Sequence, residues 1–152
     1  MSPRCLDLEN YAPFYLSQIA NKWSWSSSRL YLEKFGIGVA EWRVMSRLAS
    51  DPGTSANQIC AATGIDKALI GRCLRRLEDL KLAVSRADPT DGRSRSVRLT
   101  AAGRKINDQI YELALSREQR LLGGLTKAEV KDLLAKLRRL TENAKQLQAA
   151  SE

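Results

Sequence analysis

The chain contains SANQICAATGIDKALIGRCLRRLEDLKLAVSR at residues 55–86, followed directly by ADPTDGRSRSVRLTAAG at residues 87–103. Together these two segments indicate the fold. It predicts a helix, a tight turn, a second helix and a β-hairpin. The turn is placed at Thr63-Gly64-Ile65, because glycine adopts backbone conformations that other residues resist. Asp66 is a good N-cap for the second helix. The apolar residues of that helix form one stripe: Leu69, Ile70, Cys73, Leu74, Leu77 and Leu80.

The opposite face of the second helix is cationic and lacks apolar bulk. It carries Lys67, Ala68, Gly71, Arg72 and Arg75. A glycine inside a helix costs about 1 kcal/mol relative to alanine. A surface that is both basic and sterically bare at Gly71 favours the close approach of a large anionic partner.

The hairpin is rich in arginine. Its strands are predicted over residues 84–87 and 96–99, with Asp88-Pro89 and Asp91-Gly92 as turn signals. Four arginines line it: Arg86, Arg93, Arg95 and Arg98. A helix-turn-helix followed by an arginine-tipped hairpin is typical of a winged helix, with one helix for the major groove and a wing for the minor groove.

The wing sequence makes a more specific resemblance. Residues 86–93, RADPTDGR, followed by Leu99-Thr100-Ala101-Ala102-Gly103, resemble the D-x-R and L-T-x-x-G signature of the MarR family of bacterial transcription regulators. The resemblance extends over about residues 11–147. It implies that Arg93 enters the minor groove, that Asp91 orients it, and that helices from both ends of the chain form a homodimer.

The expected fold is therefore mainly α (α+β): a winged helix-turn-helix with a two-stranded wing and terminal helices that form a homodimer interface. Residues 1–152 are expected to form one MarR-like domain, with a DNA-binding lobe over 36–100 and dimerisation helices over 10–35 and 101–149. The last helix begins at a capping box, Thr126 to Glu129. Its apolar residues recur at threes and fours as in a helix-pairing seam: Val130, Leu133, Leu137, Leu140, Ala144 and Leu147. Packing against its own chain is the alternative.

The first helix is predicted over residues 11–35. Its candidates for burial are Tyr15, Ile19, Trp23, Leu30 and Phe35. The run Trp23-Ser24-Trp25-Ser26-Ser27-Ser28 is unusual for a helix, because serine is a poor helix former. Two interpretations stay open. These residues line a ligand site, or Trp23 packs inward, Trp25 lies at an interface and the serines face solvent or the helix backbone.

A ligand site is also suggested by another helix, which is predicted over residues 39–49 and follows the first helix of the chain. The resemblance implies a crevice walled by the first, second and fifth helices, where many relatives bind small, often aromatic and acidic, effectors. Trp23, Ser27, Trp42 and Arg43 are the candidates for ligand binding. In its Trp42-Arg43 pair the chain resembles relatives that control aromatic-acid catabolism, including some that sense CoA thioesters. The alternative is that Trp42 belongs to the core and Arg43 to the surface.

Composition narrows the function classes. The net charge is +8 and the isoelectric point about 9.7. Residues 67–98 hold nine Lys/Arg against four Asp/Glu, so the charge is concentrated on the predicted DNA-binding elements. Histidine is absent, and there is neither a glycine-rich phosphate loop nor a cluster of paired carboxylates. We therefore expect no enzyme activity, no metal and no cofactor.

The cysteines indicate a reducing compartment. Cys5, Cys60 and Cys73 are odd in number and lack metal-binding spacing, which predicts a cytoplasmic protein. No signal peptide or membrane span is predicted. Cys60 and Cys73 are interpreted as small buried hydrophobes, and Cys5 as exposed. Cys5 precedes the first helix, whereas the peroxide-sensing relatives carry their cysteine within it, so peroxide sensing is not expected.

The sequence thus predicts a dimeric repressor that binds a pseudo-palindromic site on double-stranded DNA and is released by an aromatic acid or its CoA thioester. The predicted DNA contacts are Ser55, Asn57, Gln58, Lys67, Ala68, Gly71, Arg72, Arg75, Arg86, Asp91, Arg93 and Arg95. Two other functions fit the same fold. One is a sequence-neutral architectural DNA-binding protein, and the other is a winged-helix adaptor that binds proteins.

Overall fold

The computed structural model describes residues 5–87 and 95–150. After a 3-10 turn, the elements are α1 (Ala12–Phe35), α2 (Val39–Ser50), α3 (Ala56–Thr63), α4 (Lys67–Asp79), β1 (Ala83–Ala87), β2 (Arg95–Leu99), α5 (Ala101–Leu121) and α6 (Lys127–Ala149). This order confirms the predicted winged-helix fold. The chain divides into two compact units, residues 1–111 and 112–152, and the boundary falls within α5.

Local signals set the helix-turn-helix of the first unit. Ser55 caps α3, since its hydroxyl accepts from the Gln58 N–H while the Gln58 amide oxygen accepts from the Ser55 N–H. Gly64 ends α3 in the left-handed region, with φ of 67°. Asp66 then caps α4 by accepting from the Leu69 N–H at 2.8 Å. The predicted turn and the predicted cap at Asp66 are confirmed.

The core of the first unit lies where α2, α3, α4 and the wing meet. The α4 stripe is confirmed at Ile70, Cys73, Leu74 and Leu77, all buried. Leu80 is an exception: it is the C-cap of α4 and is 44% exposed. The stripe therefore ends one helical turn earlier than its spacing suggested, because the chain leaves the helix there.

Ile37 and Tyr31 are among the buried residues of the first unit that were not predicted. Ile37 lies in the loop between α1 and α2, and Tyr31 packs edge-to-face against Trp42 with ring centroids 5.6 Å apart. Conversely, Tyr15 and Ile19 were expected to be buried and are 48% and 52% exposed. Helical periodicity identifies a shared face of α1 but not what covers that face, and in the single chain this end of α1 faces solvent.

The wing is a two-stranded antiparallel ribbon in which Ala83 pairs with Leu99 and Ala87 with Arg95. A third segment, not predicted, joins its edge: the Gly53 N–H donates to the Val97 carbonyl, and the Val97 N–H donates to the Thr54 carbonyl. Gly53 has φ of 96°, which favours glycine. The loop after α2 is thereby tied to the wing.

The base of the wing is fixed against the start of α5. The Thr100 hydroxyl donates to the Lys81 carbonyl at 2.8 Å and accepts from the Gly103 N–H at 3.0 Å. The Thr100 N–H donates to the Leu82 carbonyl. Gly103 packs so closely against Leu82, the residue before β1, that an added Cβ would overlap the Leu82 carbonyl oxygen. The threonine and glycine of the L-T-x-x-G motif are therefore explained by the close crossing of α5 and the backbone at Leu82.

The second unit contains the C-terminal part of α5 and the whole of α6. The predicted capping box is confirmed: the Thr126 hydroxyl accepts from the Glu129 N–H, and the Glu129 carboxylate accepts from the Thr126 N–H at 2.7 Å. The Thr126 N–H and hydroxyl both donate to the Glu129 carboxylate and hold the pKa of that carboxyl below its ordinary value. No residue of α6 is buried in the described chain, and Leu134, Leu140 and Leu147 are among its exposed apolar residues.

Gly103→Ala should destabilise the first unit, because its methyl group has no space beside the Leu82 carbonyl. We expect a loss of about 1–3 kcal/mol, the usual cost of overpacking, and a melting temperature lower by several degrees in calorimetry. Gly71→Ala is the matched control, since its added Cβ meets no atom within 4 Å. It should leave stability unchanged or raise it by up to about 1 kcal/mol. Equal melting temperatures for the two variants would contradict the close crossing.

The cysteines should differ in reactivity. Burial, aided by the nearby Glu41 carboxylate, raises the pKa of the Cys73 thiol to about 11. Because the thiolate is the nucleophile, Cys73 should stay unreactive at pH 8 while the exposed Cys5 is alkylated. Iodoacetamide labelling followed by mass spectrometry measures this, with urea-unfolded protein as the control in which all cysteines react. Native labelling of Cys73 at the rate of Cys5 would show the prediction to be wrong.

Candidate nucleic-acid interface

The exposed face of α4 is the centre of the candidate interface. Lys67, Ala68, Arg72 and Arg75 are exposed on it, and Gly71 is half-buried with open space where a side chain would stand. The buried stripe holds the opposite face of α4 against the core. The helix therefore presents three cations and two small residues outward, as the sequence predicted.

Lys67, Gly71 and Arg75 border a concavity of about 480 Å³ between α3, α4 and the wing. Six of the predicted DNA contacts line it: Ser55, Asn57, Lys67, Gly71, Arg75 and Arg95. Glu78 is the one acid in its lining among the described residues. Three cations against one carboxylate make this surface attractive to a phosphate backbone. The structure thus gathers, from three separate elements, residues that the sequence could name only one by one.

The wing separates its arginines onto two faces. Ser85, Arg95 and Val97 alternate along the strands and line the concavity beside α4. Arg86 lies on the other face, where it borders a smaller depression with Val84, Ser96 and Arg98. Because neighbouring residues of a strand point to opposite faces, Arg86 and Arg95 do not share a surface.

Three further predicted contacts stand apart from the concavity lining. Ala68 and Arg72 are exposed on α4. Gln58 is exposed at the start of α3, but its amide oxygen is engaged in the cap with Ser55. Asp91 and Arg93, predicted for the tip of the wing, lie outside the described residues.

The predicted ligand residues are only partly brought together. Trp42 and Arg43 line an open groove of about 370 Å³ on α2, together with Ser46, Arg47, Ser50 and Thr63. The Trp42 indole N–H is buried and has no acceptor in the described chain. Trp23 is half-buried and Ser27 fully buried in α1, and neither borders this groove. Their role in ligand binding stays a prediction.

Sequence reasoning missed one cation on α4. Arg76 does not line the concavity; its guanidinium donates to the Gly36 carbonyl at 3.0 Å and lies 3.5 Å from the Glu41 carboxylate. In the sequence Arg75-Arg76 reads as two equivalent surface cations. The 3.6-residue helical repeat does place them on different sides of the helix, which was the available signal.

Comparisons with known proteins agree with this geometry. A family model described as "MarR family" matches residues 35–94. The transcriptional repressor IacR of Pseudomonas putida is 26% identical over 125 residues, which are 82% of this chain and 74% of IacR. The solved structure of a MarR/EmrR family transcriptional regulator from Acinetobacter sp. ADP1 is 31% identical, with a TM-score of 0.86, and the match covers 93% of this chain and 99% of that one.

The chain belongs to the MarR family of transcription regulators. BpsR of Bordetella bronchiseptica also has a similar structure, and that structure concerns regulation of its DNA binding by 6-hydroxynicotinic acid. It is 25% identical, has a TM-score of 0.75, and is matched over 86% of this chain and 99% of its own. In this MarR protein the family model spans α2, α3, α4 and β1, which are the elements that carry most of the candidate interface.

The described residues contain no group of three or more Cys, Asp or Glu side chains placed to hold a metal ion. None of the described helices is long and apolar enough to span a membrane.

Proposed function

We propose that this MarR protein is a homodimeric, sequence-specific transcriptional repressor whose operator binding is relieved by a small acidic, aromatic effector. The observation that carries the proposal is the concavity in which Lys67, Arg75 and Arg95 converge beside the bare surface of Gly71. Its site of action is then the bacterial cytoplasm, where its DNA is.

In the proposed complex, α4 enters the major groove. Arg72, exposed on its outer face, is suited to bidentate bonding with a guanine edge. Lys67, Arg75 and Arg95 contact phosphates, and Ser55, Asn57 and Gln58 at the start of α3 add hydrogen bonds to the same backbone. By family resemblance, Arg93 enters the minor groove with Asp91 orienting it. Arg86, on the far face of the wing, is assigned to the phosphates of the flanking strand.

Dimerisation is supported by apolar residues that remain exposed in the single chain. On α1 they include Tyr15, Leu16 and Ile19, and on α6 Leu134, Leu140 and Leu147. Runs of this kind usually mark protein interfaces. A two-fold axis would set two copies of α4 about 34–36 Å apart, one turn of the DNA helix, on a pseudo-palindromic operator.

The effector site is proposed at Trp42 and Arg43, with Trp23 and Ser27 contributing from α1. Arg43 supplies charge for a carboxylate, and the buried Trp42 N–H offers a donor without an acceptor in the described chain. Because Ser27 is fully buried, it reaches a ligand only if α1 moves. An effector acts here by binding better to the conformer that cannot grip DNA. A CoA thioester is the second candidate, since its phosphates suit the two arginines that line the groove, Arg43 and Arg47, the latter also paired with Asp51.

Two other functions are separable by experiment. A sequence-neutral architectural protein would share the basic concavity, but its DNA affinity would fall with salt equally for operator and random duplexes. A winged-helix adaptor would not bind DNA at all. The bare, cationic surface around Gly71 favours DNA, because a protein partner would gain more from apolar side chains there.

Arg72→Ala and Arg75→Ala should weaken operator binding differently. Losing a base contact should cost about 1–3 kcal/mol and relax one operator position, whereas losing a phosphate contact should weaken all sequences and lower the salt slope by about one. Fluorescence anisotropy with operator and random duplexes, using sequences selected from genomic DNA, measures both. Arg93→Ala should also weaken binding strongly without changing the melting temperature. Unchanged operator affinity in all three variants would exclude this interface.

An aromatic acid should release the operator and quench tryptophan fluorescence. A screen of aromatic acids and their CoA thioesters tests this, with Arg43→Ala expected to raise the effector concentration needed for release. The matched control is Arg29→Ala, which removes an exposed α1 arginine that pairs with Glu33 and does not line the groove. If no compound releases DNA, or if the Arg43 and Arg29 variants respond alike, the effector site is not at Trp42 and Arg43.

A further inference from the structure

Arg76 joins α4 to the turn between α1 and α2. One of its terminal nitrogens donates to the Gly36 carbonyl, which lies 40 positions earlier in the chain, and its Nε is 3.5 Å from Glu41 Oε1. The other oxygen of Glu41 accepts from the Gly38 N–H at 3.0 Å. One guanidinium therefore bridges a backbone carbonyl at the end of α1 and a carboxylate in the first turn of α2.

The turn is shaped to hold this carboxylate. Gly36 ends α1 in the left-handed region with φ of 72°, which leaves its carbonyl directed at Arg76. A Cβ on Gly38 would stand 2.9 Å from Glu41 Oε2, so a larger residue there would require the end of the Glu41 side chain to shift. The Glu41 side chain is 18% exposed, and that of Arg76 is 51% exposed. The carboxylate is thus fixed by a rigid frame, while the arginine reaches it from the surface.

The direction of Arg76 separates it from its neighbour. Arg75 borders the concavity between α4 and the wing, whereas Arg76 does not and is engaged with Gly36 and Glu41. The two residues carry the same charge on the same helix. They therefore exert similar long-range attraction on DNA, and differ in what their side chains hold.

We propose, on the basis of the proposed function, that Arg76 is a positioning residue: held by the Gly36 carbonyl and Glu41, it sets the angle of α4 against the α1–α2 turn and so the preference for operator over random DNA. Two anchor points fix an orientation where one would allow rotation, and arginine is suited to this because its donors form a rigid planar fork. Glu41 directly precedes Trp42 and Arg43, so a ligand that shifts this part of α2 would also shift the anchor of α4.

The test compares Arg76→Ala with Arg75→Ala, together with Glu41→Gln and Arg76→Lys. Affinities for an operator duplex and a random duplex are measured over a salt series, and melting temperatures over the same buffers. Arg76→Ala should lower the operator-to-random affinity ratio by about tenfold or more while the salt slope stays that of the wild type. Arg75→Ala should instead lower the slope by about one, as for a lost phosphate contact.

The remaining variants isolate the bridge. Glu41→Gln keeps an oxygen for the Gly38 N–H but removes the charge, so it should reproduce the Arg76→Ala loss of preference, and the double variant should lose little more. Arg76→Lys, which cannot hold both acceptors in one plane, should fall between. Because Glu41 does not line the concavity, an effect of Glu41→Gln on DNA binding would be indirect, through the elements that α2 packs against.

Each outcome decides the question. A salt slope lowered by about one in Arg76→Ala would make Arg76 a phosphate contact and overturn the proposal. An unchanged affinity ratio, or additive losses in the double variant, would also overturn it. A lowered melting temperature with an unchanged ratio would leave Arg76 a stabilising residue only. If wild-type protein shows no preference for any selected duplex, the proposed function itself fails, which is a different result from a normal preference that survives Arg76→Ala.

Discussion

The close crossing of two backbones at Gly103 fixes the wing and, with it, the candidate interface. The first turn of α5 lies so close to the backbone of Leu82, just before β1, that a side chain at position 103 has no space. Thr100 closes the same junction by bonding to the Lys81 carbonyl and to the Gly103 N–H. A wing is a two-stranded ribbon, and such ribbons are marginally stable alone. Fastening its base to a helix gives the wing a defined direction relative to α4.

That direction determines what the arginines can do. With the base fixed, the inner face of the wing places Arg95 across from Lys67 and Arg75, and the concavity becomes cationic. Gly53 and Thr54 stiffen the same ribbon from the other edge by pairing with Val97. A rigid mount matters for recognition, since base contacts discriminate only when the side chains that make them are held in register with the groove.

The interface therefore depends on supports that never meet DNA. The buried stripe of α4 holds that helix against the core. The contacts of Arg76 with Gly36 and Glu41 are proposed to set the angle of α4 against the turn between α1 and α2. Cations at a surface supply affinity that is largely independent of sequence. The proposed selectivity for an operator also requires that these cations be held in position by the residues behind the helix.

The sequence by itself determined the element order, the caps and the class of partner. These follow from local chemistry: Asp66 and Ser55 satisfy helix N–H groups within three residues, and periodicity places Ile70 on a different side from Arg72. Asp91 and Arg93, named from the wing motif, lie beyond the described residues and stay predictions.

Only the tertiary structure decided which residues share a surface. Arg75 and Arg76 are adjacent in sequence, yet one borders the concavity and the other reaches a carbonyl 40 positions away. Arg86 and Arg95 both belong to the wing but lie on opposite faces. Periodicity fixes directions relative to one helix or strand, whereas a site is made by the packing of several, and that packing depends on contacts between residues distant in the chain.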